Sequence, residues 1–580
     1  CHAAAVHNLH PSIRGTGVLL GIVDAGIDFR HGDFRNADGT SRIRFLWDQN
    51  DAAVPGAAVP FGRVFTKAEL DQVLANQPGA PAIAHRDLEG HGTHVAGIAG
   101  GNGRGAKSAK FTGMAPESEY LIVVTRGDSA TLGQSNAALA AFTWIVDRAA
   151  ELSRPVAINN SQGMNGGGHC GESLLEVGMD RLARRAGVAI IKSAGNEQTW
   201  RTHAGGTVTQ GQTRVVELVS GASNFSDDIL EIWHDGADTI AIAVQAPGAP
   251  TPAAADFVVP GGNRTSSTSA QNEVTIDSTV NASDTGDVRT VVFMSRGNAP
   301  RIQPGTWRLH LRGDSVSAGR YDVWIERSGN RSTEQARFSP ASNDPTRTIS
   351  IPGTARRIIT AGSYITRTGT LGQISDFSSR GPTRYDLHKP EITAPGEQIV
   401  SCLSSASHLQ TFKPRYTLMA GTSMAAPHVT GAAALLLQMN PGFNCSEVKQ
   451  LLMRSASRSG FAASAPDETF GDGKLNIEAA VQLARTAVFP VISNVKVQGT
   501  VISWTTDVPT TAAVRFNTHQ RRMLLGRASG SLADLTLGTS HSIDLHGQPP
   551  GTYFCEILAF TAQDWQALDD HDGLHYQVTV

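Results

Sequence analysis

Ser423 lies between a Gly-Thr turn and a run of small residues in the segment GTSMAAPHVTG. The run continues into AAALLLQM, which predicts a helix that begins at this serine. A turn exposes the hydroxyl, and the helix that follows presents unpaired main-chain N–H groups, an arrangement that suits a reactive serine. The alternative is a capping serine, because Ser and Thr are preferred at helix starts.

Two neighbours of Ser423 make this helix start unusual. Thr422 can itself cap a helix, and in that case Ser423 lies in the first turn with a free side chain. Pro427 has no N–H, so it removes the donor that would have bonded the main-chain carbonyl of Ser423. These neighbours indicate a specialised helix start.

A serine nucleophile needs a base, a group that orients the base, and donors for the oxyanion. Asp24 ends the apolar run GVLLGIVD and offers a carboxylate. His91 and His94 occur in GHGTHVAGIAG, and Asn196 follows a strand and a glycine in IIKSAGNE. The chain therefore contains every chemical part that a nucleophilic serine requires.

Each of these residues also has an ordinary interpretation. Asp24 could cap the turn into AGID, and Asn196 beside Gly195 could simply form a turn. His91 and His94 are three residues apart and could be metal ligands. However, no Cys, Glu or third His at ligand spacing accompanies them, so no metal site is predicted there.

The elements that position these residues follow from the apolar pattern. Runs of strand length, such as GVLLGIVD, YLIVVT, PVAINNS and GVAIIKSAGN, alternate with segments of helix length such as NAALAAFTWIVDRAAEL. This alternation predicts an α/β protein with a doubly wound parallel sheet, in which functional residues gather at the carboxyl ends of strands. Each of the four motifs lies at such an edge.

Two segments depart from the α/β pattern. After about residue 200 the chain alternates strands and turns for roughly 150 residues, as in TWRLHLRG and YDVWIER, and the α/β pattern then returns. A second β-rich segment begins near residue 488. The predicted organisation is a catalytic domain in two parts, 1–200 and 356–487, an inserted all-β domain, 201–355, and a small C-terminal β-sandwich, 488–580.

The motifs GIVDAGID, GHGTHVAGIAG, SAGNE and GTSMAAPHVTG resemble those of the subtilisin-like serine proteases, the subtilases. Their order along the chain, Asp then His then Ser, is that family's order, and a G-x-S-x-G elbow is absent. The resemblance implies that Asp24 orients the base His91, that Ser423 is the nucleophile, and that the Asn196 side chain donates to the oxyanion. It implies a structural role for His94.

The resemblance also implies a substrate cleft. One wall would bond an extended substrate by strand addition, and it consists of Ser161, Gln162 and Gly163 in NNSQGM. Met164 follows, where a second glycine is common in the family. The opposite wall of the specificity pocket would consist of Ser193, Ala194 and Gly195.

Resemblance extends to the two β-rich segments. The inserted segment resembles the jelly-roll insertions of some subtilases, chiefly through PGTWRLHLRG and GRYDVWIE. The C-terminal segment resembles a fibronectin type III domain through ISWTTDVPTTAAVRF and PPGTYF. Neither resemblance identifies a substrate.

Composition excludes several classes of protein. The 580 residues are 40% hydrophobic and 17% charged, with a formal net charge of −3. No basic block occurs in the sequence, so a nucleic-acid partner is not expected. No apolar run is long enough to span a membrane, so a membrane partner is not expected either. Five widely spaced cysteines do not form a disulfide framework. No cofactor is predicted: subtilases often bind calcium, but the loop GGNGRGAKSAKFTG is basic and lacks carboxylates.

The predicted function is a serine endopeptidase that acts on proteins or peptides through an acyl-enzyme. Secretion is implied by the family resemblance, and the sequence does not determine the oligomeric state. The alternative is a catalytically silent subtilase fold that acts as a binding or scaffold protein through its β modules. The presence of Asp24, His91, Asn196 and Ser423 argues against that alternative.

Overall fold

The computed structural model describes residues 1, 3–53, 59–106, 111–126, 135–282, 285–329, 331–408 and 415–580. The part before residue 200 alternates strands and helices, as the apolar pattern predicts. Its strands are β1 (Leu19–Asp24), β2 (Ile43–Asp48), β3 (Arg63–Thr66), β4 (Glu119–Val124), β5 (Val156–Asn160) and β6 (Val188–Ser193). Its helices are α1 (Ala3–Leu9), α2 (Lys67–Leu74), α3 (His91–Gly100), α4 (Ser135–Glu151) and α5 (Leu174–Leu182).

The next segment forms two antiparallel sheets. Its strands are β7 (His203–Thr207), β8 (Thr213–Ser220), β9 (Asp228–Asp235), β10 (Thr239–Gln245), β11 (Asn263–Ser267), β12 (Glu273–Ala282), β13 (Asp287–Ser295), β14 (Gly305–Ser315), β15 (Arg320–Ile325) and β16 (Arg337–Phe338). One sheet has the order β10-β14-β8-β16 and the other β11-β12-β13-β9-β15-β7. Residues of both sheets, including Leu218, Ile232 and Leu309, share one buried core, so the sheets pack face to face.

The α/β pattern then returns. Its strands are β17 (Ile359–Ile365), β18 (Ile392–Glu397), β19 (Ile399–Cys402) and β20 (Tyr416–Met419), and its helices are α6 (Thr422–Met439), α7 (Cys445–Arg454) and α8 (Ile477–Ala484). Within the described ranges, the central sheet has the order β18-β17-β6-β5-β1-β4-β2-β3. Its neighbours pair in parallel except β3, which is antiparallel to β2. The two parts of the chain thus build one sheet.

The register of this sheet aligns the strand ends that carry the motifs. Asp24 in β1 pairs with Val124 in β4, and Asn160 in β5 pairs with Lys192 in β6. The carboxyl ends of β1, β5 and β6 therefore lie at one edge, where ligands bind in open α/β sheets. Helix α6 is buried for most of its length and packs against β5, β6, β17 and β18, which brings its first turn to the same region.

The C-terminal segment forms a further antiparallel sheet with its own core. Its elements are β21 (Ile492–Gln498), β22 (Val501–Asn517), α9 (Gln520–Leu524), β23 (Gly530–Asp544), β24 (Thr552–Thr561), β25 (Gln566–Asp569) and β26 (Tyr576–Thr579). Long strand β22 pairs with β21, β23 and β24, and β24 pairs with β25 and β26. Trp504, Val514 and Ile557 lie in the core of this sheet.

Contacts of three arginines join the three units. Arg384, from the α/β part, contacts Asp287 of the inserted segment with Nη2 2.7 Å from Oδ2. Arg527, from the C-terminal segment, stacks on the ring of Tyr385 with 3.6 Å between the guanidinium carbon and the ring centre. Arg356 pairs with the buried Glu556 at 2.9 Å. These contacts fix the added units against the α/β part.

The predicted fold class is confirmed: a doubly wound, mainly parallel sheet is interrupted by antiparallel β structure and followed by more of it. The limits of the four domains and the names jelly roll and fibronectin type III stay predictions. All five cysteines are free thiols. No helix in the described ranges has the length and apolar character needed to cross a membrane.

Candidate active site

Asp24 and His91 are in direct contact at the edge of the sheet. Asp24 is the last residue of β1, and His91 is the first residue of α3. The ring nitrogen Nδ1 of His91 lies 2.8 Å from Oδ1 of Asp24, whose side chain is 1% exposed. When Nδ1 donates to this carboxylate, Nε2 of His91 is left as the nitrogen that can accept a proton.

The carboxylate of Asp24 also changes the pKa of the His91 ring. Burial disfavours the imidazolium, but the charge and hydrogen bond of Asp24 outweigh burial, so the pKa of His91 is raised above its ordinary value. The carboxylates of Asp87 and Glu89 act in the same direction. His91 is therefore a stronger base than a histidine in water.

Asp87 holds the start of helix α3, a role that was not predicted from the sequence. Its carboxylate accepts hydrogen bonds from the N–H of Gly90 at 2.8 Å and from the N–H and hydroxyl of Thr93 at 3.0 and 2.5 Å. Burial raises the pKa of Asp87. The sequence contained a signal for this role, namely the acid Asp87 three residues before Gly90 in DLEGHGTH. An acid at this spacing can bond the first N–H groups of a helix.

Gly92 allows α3 to approach β1 closely. An ideal Cβ at this position would lie 2.0 Å from the carbonyl oxygen of Gly26 and 3.1 Å from Oδ1 of Asp24. A side chain here would therefore displace either the turn after β1 or the helix that carries His91. The glycine is required for contact between Asp24 and His91.

Ser423 lies in the first turn of α6, and neither it nor Thr422 is the cap. The cap position is Gly421, which makes no side-chain capping bond. The prediction that Thr422 could be the cap is wrong, because its hydroxyl accepts from the N–H of Gly195 at 3.1 Å and its own N–H is bonded to Asn196. Thr422 thus links the helix to the end of β6.

The Ser423 hydroxyl donates to the main-chain carbonyl of Ser161 at 3.1 Å. In return, the Ser161 hydroxyl donates to the main-chain carbonyl of Ser423 at 3.0 Å. This second bond replaces the donor that Pro427 removes from the helix. The Ser423 hydroxyl is thus directed to Ser161, and among the described residues no hydrogen bond joins it to His91.

Asn196 is held with one end of its amide fixed. Its Oδ1 accepts from the N–H and the hydroxyl of Thr422, at 2.8 and 2.9 Å, which assigns Nδ2 as the donor end. An ideal Cβ on Gly421 would lie 3.4 Å from this Nδ2 and 3.6 Å from the main-chain nitrogen of Ser423. Gly421 thus keeps open the space beside two N–H donors, a suitable arrangement for an oxyanion.

The predicted cleft residues divide into two groups. Four of them line a pocket of about 40 Å³ beside Ser423: Ser161, Gly163, Ser193 and Gly195. Two others lie outside its lining: Gln162, which accepts from the hydroxyl of Thr125 at 3.2 Å, and Ala194, whose main chain bonds Ala361 and Ser350.

Five polar residues of this pocket were not predicted from the sequence, and the first of them is Asn165, which follows Met164. Lys192 precedes Ser193 in β6, and Glu197 follows Asn196. Arg327 and Ser350 come from the segment between the two α/β parts. A lysine inside the apolar run VAIIKS was a usable signal, but nothing in the sequence places Arg327 or Ser350 near Ser423.

His94 does not share a site with His91. Its Nε2 lies 3.1 Å from the carbonyl of Ile399 and 3.2 Å from that of Thr417, inside the protein. Burial lowers the pKa of His94 to about 3, so the ring is neutral. The pair is therefore not arranged as metal ligands.

Two groups of possible metal ligands occur elsewhere in the described ranges: His31 with Asp33 and Cys402, and Glu556 with Asp570 and His575. Asp33 already accepts from the hydroxyl of Tyr416, and Glu556 is paired with arginine. Neither group is assigned a metal.

The loop considered for calcium is only partly described by the structure. Residues 107–110 lie outside the described residues. In the remainder, Gly103 and Gly105 donate their N–H groups to Asp33 at 3.2 and 2.7 Å. Calcium requires a set of oxygen ligands, and this part of the loop presents donors instead.

Comparisons with known proteins show which family the chain resembles as a whole. The model of the subtilase family matches residues 15–290 and 258–473. Serine protease AprX of Bacillus subtilis (strain 168) is 36% identical over 149 residues, which are 24% of this chain and 33% of that protein. The PI-type proteinase of Lactococcus lactis subsp. cremoris is 27% identical over 466 residues, 73% of this chain and 23% of that protein.

A solved structure extends the similarity beyond the motifs. The structure of the Clostridium perfringens CspB protease superposes with a TM-score of 0.71 at 26% identity, and the match covers 84% of this chain and 98% of that one. By contrast, the chain spans only 33% and 23% of the lengths of the two curated relatives above.

Proposed function

Because the chain belongs to the subtilase family, we propose that it is a serine endopeptidase that hydrolyses proteins through an acyl-enzyme on Ser423. The observation that carries this proposal is the bond between His91 and the buried Asp24, because helix α3, which begins at His91, packs against helix α6, which carries Ser423. A fixed, raised-pKa histidine is what a serine nucleophile needs as its base.

In the first step, Oγ of Ser423 forms a bond to the carbonyl carbon of the scissile peptide. Its proton passes to Nε2 of His91, and Asp24 stabilises the imidazolium that results. The proton then goes to the leaving amine as the C–N bond breaks. In the second half of the reaction His91 takes a proton from water, whose oxygen attacks the acyl carbon. The C–Oγ bond then breaks, and His91 returns the proton to Oγ of Ser423.

The negative oxygen of each tetrahedral intermediate would be stabilised by two N–H groups. One is Nδ2 of Asn196, which Thr422 holds in place through Oδ1. The other is the main-chain N–H of Ser423, one of the first N–H groups of helix α6. Donors held before the reaction need no reorganisation as charge develops, which is the source of their effect on rate.

The substrate would bind as an added strand beside Ser161 and Gly163. In the free protein the Ser161 carbonyl accepts from the Ser423 hydroxyl. A main-chain N–H of the substrate would compete for this carbonyl and release the hydroxyl toward His91. Substrate binding and activation of the nucleophile are thus linked in the proposed mechanism.

All groups of the proposed chemistry belong to the chain itself, and the proposed partner is a protein or peptide substrate. We also propose that the protein is secreted, as the family resemblance implies.

A fluorophosphonate probe tests the proposal, because it reacts only with an activated serine. We expect a single adduct by intact mass on the wild-type chain, and none on Ser423→Ala. Ser161→Ala is the matched control, because it removes a neighbouring hydroxyl but keeps the proposed nucleophile, so it should still be labelled. A folded wild-type chain without an adduct would overturn the proposal and favour the binding-protein alternative.

A further inference from the structure

Lys192 is a buried cation at the specificity pocket. It lies in β6, one residue before the pocket wall at Ser193, and the residue is 1% exposed. Its ammonium contacts only neutral groups by hydrogen bond: the carbonyl of Ser193, the hydroxyl of Ser193 at 3.0 Å and the hydroxyl of Ser350 at 3.2 Å. Within the described ranges, no carboxylate lies at ion-pair distance from it.

A second buried lysine shows the usual arrangement. Lys389 is equally buried, but its ammonium lies 2.8 Å from the carboxylate of Glu391. Buried charges are normally paired in this way, because an unpaired ion loses its hydration without compensation. Among the described residues, Lys192 therefore lacks the partner that a purely structural lysine would have.

The other charges of the pocket pair with each other. Arg327 lies 3.4 Å from Oε1 of Glu197, and Oε2 of Glu197 accepts from the N–H of Asn196 at 2.7 Å. Arg327 also stacks on the ring of Trp200. Because Glu197 and Arg327 offset each other, the pocket retains the net positive charge of Lys192.

Gly163 packs directly against this ammonium. An ideal Cβ at Gly163 would lie 3.1 Å from Nζ of Lys192 and 2.7 Å from Oγ of Ser350. Lys192, Ser193 and Ser350 nevertheless line the pocket beside Ser423, so a short group that enters this pocket meets the ammonium and both serine hydroxyls. A carboxylate satisfies these donors together and supplies the missing counter-charge.

We propose that Lys192 makes the protease select an aspartate or glutamate as the residue before the scissile bond. This inference rests on the proposed endopeptidase function. Ser350, from the segment that returns after the inserted sheets, helps to bind the same carboxylate through its hydroxyl.

The test uses internally quenched peptides that differ only at the residue before the scissile bond: Asp, Glu, Asn, Gln, Ala or Phe. With the full chain, we expect kcat/KM for Asp or Glu to exceed that for the neutral isostere, Asn or Gln, by about tenfold or more. Equal or greater values for the isosteres would overturn the inference.

Lys192→Met should abolish this preference while fluorophosphonate labelling of Ser423 persists. Lys474→Met is the control, because it removes an equal charge from a lysine outside the pocket and should leave the preference intact. Retention of the acidic preference in Lys192→Met would overturn the inference. If the wild-type chain is neither labelled nor cleaves any peptide, the proposed function itself is wrong.

A measurement on the wild type serves if Lys192→Met does not fold. Burial lowers the pKa of Lys192 to about 7, against the opposing effect of Glu197. The ratio of kcat/KM between the Asp and Asn peptides should therefore fall as pH rises above about 7, since the free enzyme loses the ammonium. The titration of His91 affects both peptides and cancels in the ratio. The inference would be contradicted if this ratio of kcat/KM values stayed constant from pH 6 to 9, which spans about one to two units on either side of the Lys192 pKa.

Discussion

Ser161 and Ser423 exchange hydrogen bonds, each hydroxyl donating to the other's main-chain carbonyl at 3.0 and 3.1 Å. The bond from Ser161 satisfies a carbonyl that Pro427 leaves without a helical donor. One wall of the proposed cleft is therefore joined to the first turn of the helix that carries the proposed nucleophile.

Ser161→Ala should lower the free energy of unfolding by about 1–3 kcal/mol, because it leaves the buried Ser423 carbonyl without a donor. In a Pro427→Ala background the helix regains the N–H at position 427, so the same substitution should have a smaller effect. Urea unfolding of the four proteins in this double-mutant cycle measures the difference. Identical effects in the two backgrounds would show that the carbonyl does not depend on Ser161.

Asp24→Asn should lower both the pKa of His91 and the rate. The carboxylate raises this pKa, so the acid limb of the pH profile of kcat/KM should move to lower pH in the variant. Turnover should fall by about 10⁴-fold, because the amide does not hold the required tautomer. A pH profile with an unshifted acid limb would exclude His91 as the base that this limb reports.

The raised pKa of His91 also predicts that the stability of the fold depends on pH. A histidine whose pKa is higher in the folded than in the unfolded state stabilises the fold most when protonated. This contribution of His91 is complete below the unfolded pKa, about 6.5, and is lost as pH rises through the folded pKa. The measurement is the free energy of urea unfolding between pH 5 and 9, a range of about two units on either side of the pKa of His91. This free energy should show the loss of the His91 contribution in the wild type and not in Asp24→Asn.

Asn196→Ala should lower kcat by about 10²- to 10³-fold with little change in KM, a magnitude established in subtilisin itself. Thr422→Val should have a smaller effect in the same direction, because Oδ1 of Asn196 keeps the main-chain N–H of Thr422 and loses only the hydroxyl. Thr422→Ser retains the hydroxyl and is the control. Steady-state kinetics distinguish the expected effect on kcat from an effect confined to KM, which would contradict the oxyanion role.

Gly92→Ala should reduce activity and stability together. The added Cβ would meet the Gly26 carbonyl at 2.0 Å, so α3 and the turn after β1 must separate. We expect a loss of about 1–3 kcal/mol in unfolding free energy. Gly547→Ala is the control, because a Cβ there has no neighbour within 4 Å. A Gly92→Ala protein with wild-type kcat would show that the contact between Asp24 and His91 tolerates this displacement.

The sequence predicted the parts of the fold and site that depend on local patterns. Asp24 and Asn196 follow apolar runs that form parallel strands, so their place at one sheet edge follows from the topology rule for such sheets. The cap of α6 was harder to predict, because Gly, Thr and Ser occur together at the start of this helix and all are found at helix starts. Only the bonds of Thr422 to Gly195 and Asn196 decide it.

The pocket beyond the motifs could not be predicted. Lys192 and Ser350 are 158 residues apart in the chain, and their contact depends on how the inserted sheets return to the α/β part. No periodicity or motif encodes such a contact. The apolar run around Lys192 signalled a buried charge, but its partners depend on the tertiary structure.

The bridge between Met164 and Ile351, with N–H to carbonyl distances of 2.8 and 3.0 Å, joins one wall of the pocket to the returning segment. The N–H of Ser350 joins the other wall, at Ala194. The proposed selectivity therefore depends on two parts of the chain: the α/β part supplies Lys192 and the returning segment supplies Ser350. Exchange of the inserted segment between related enzymes would alter the Ser350 side of this pocket and would leave Lys192 and the proposed catalytic residues unchanged.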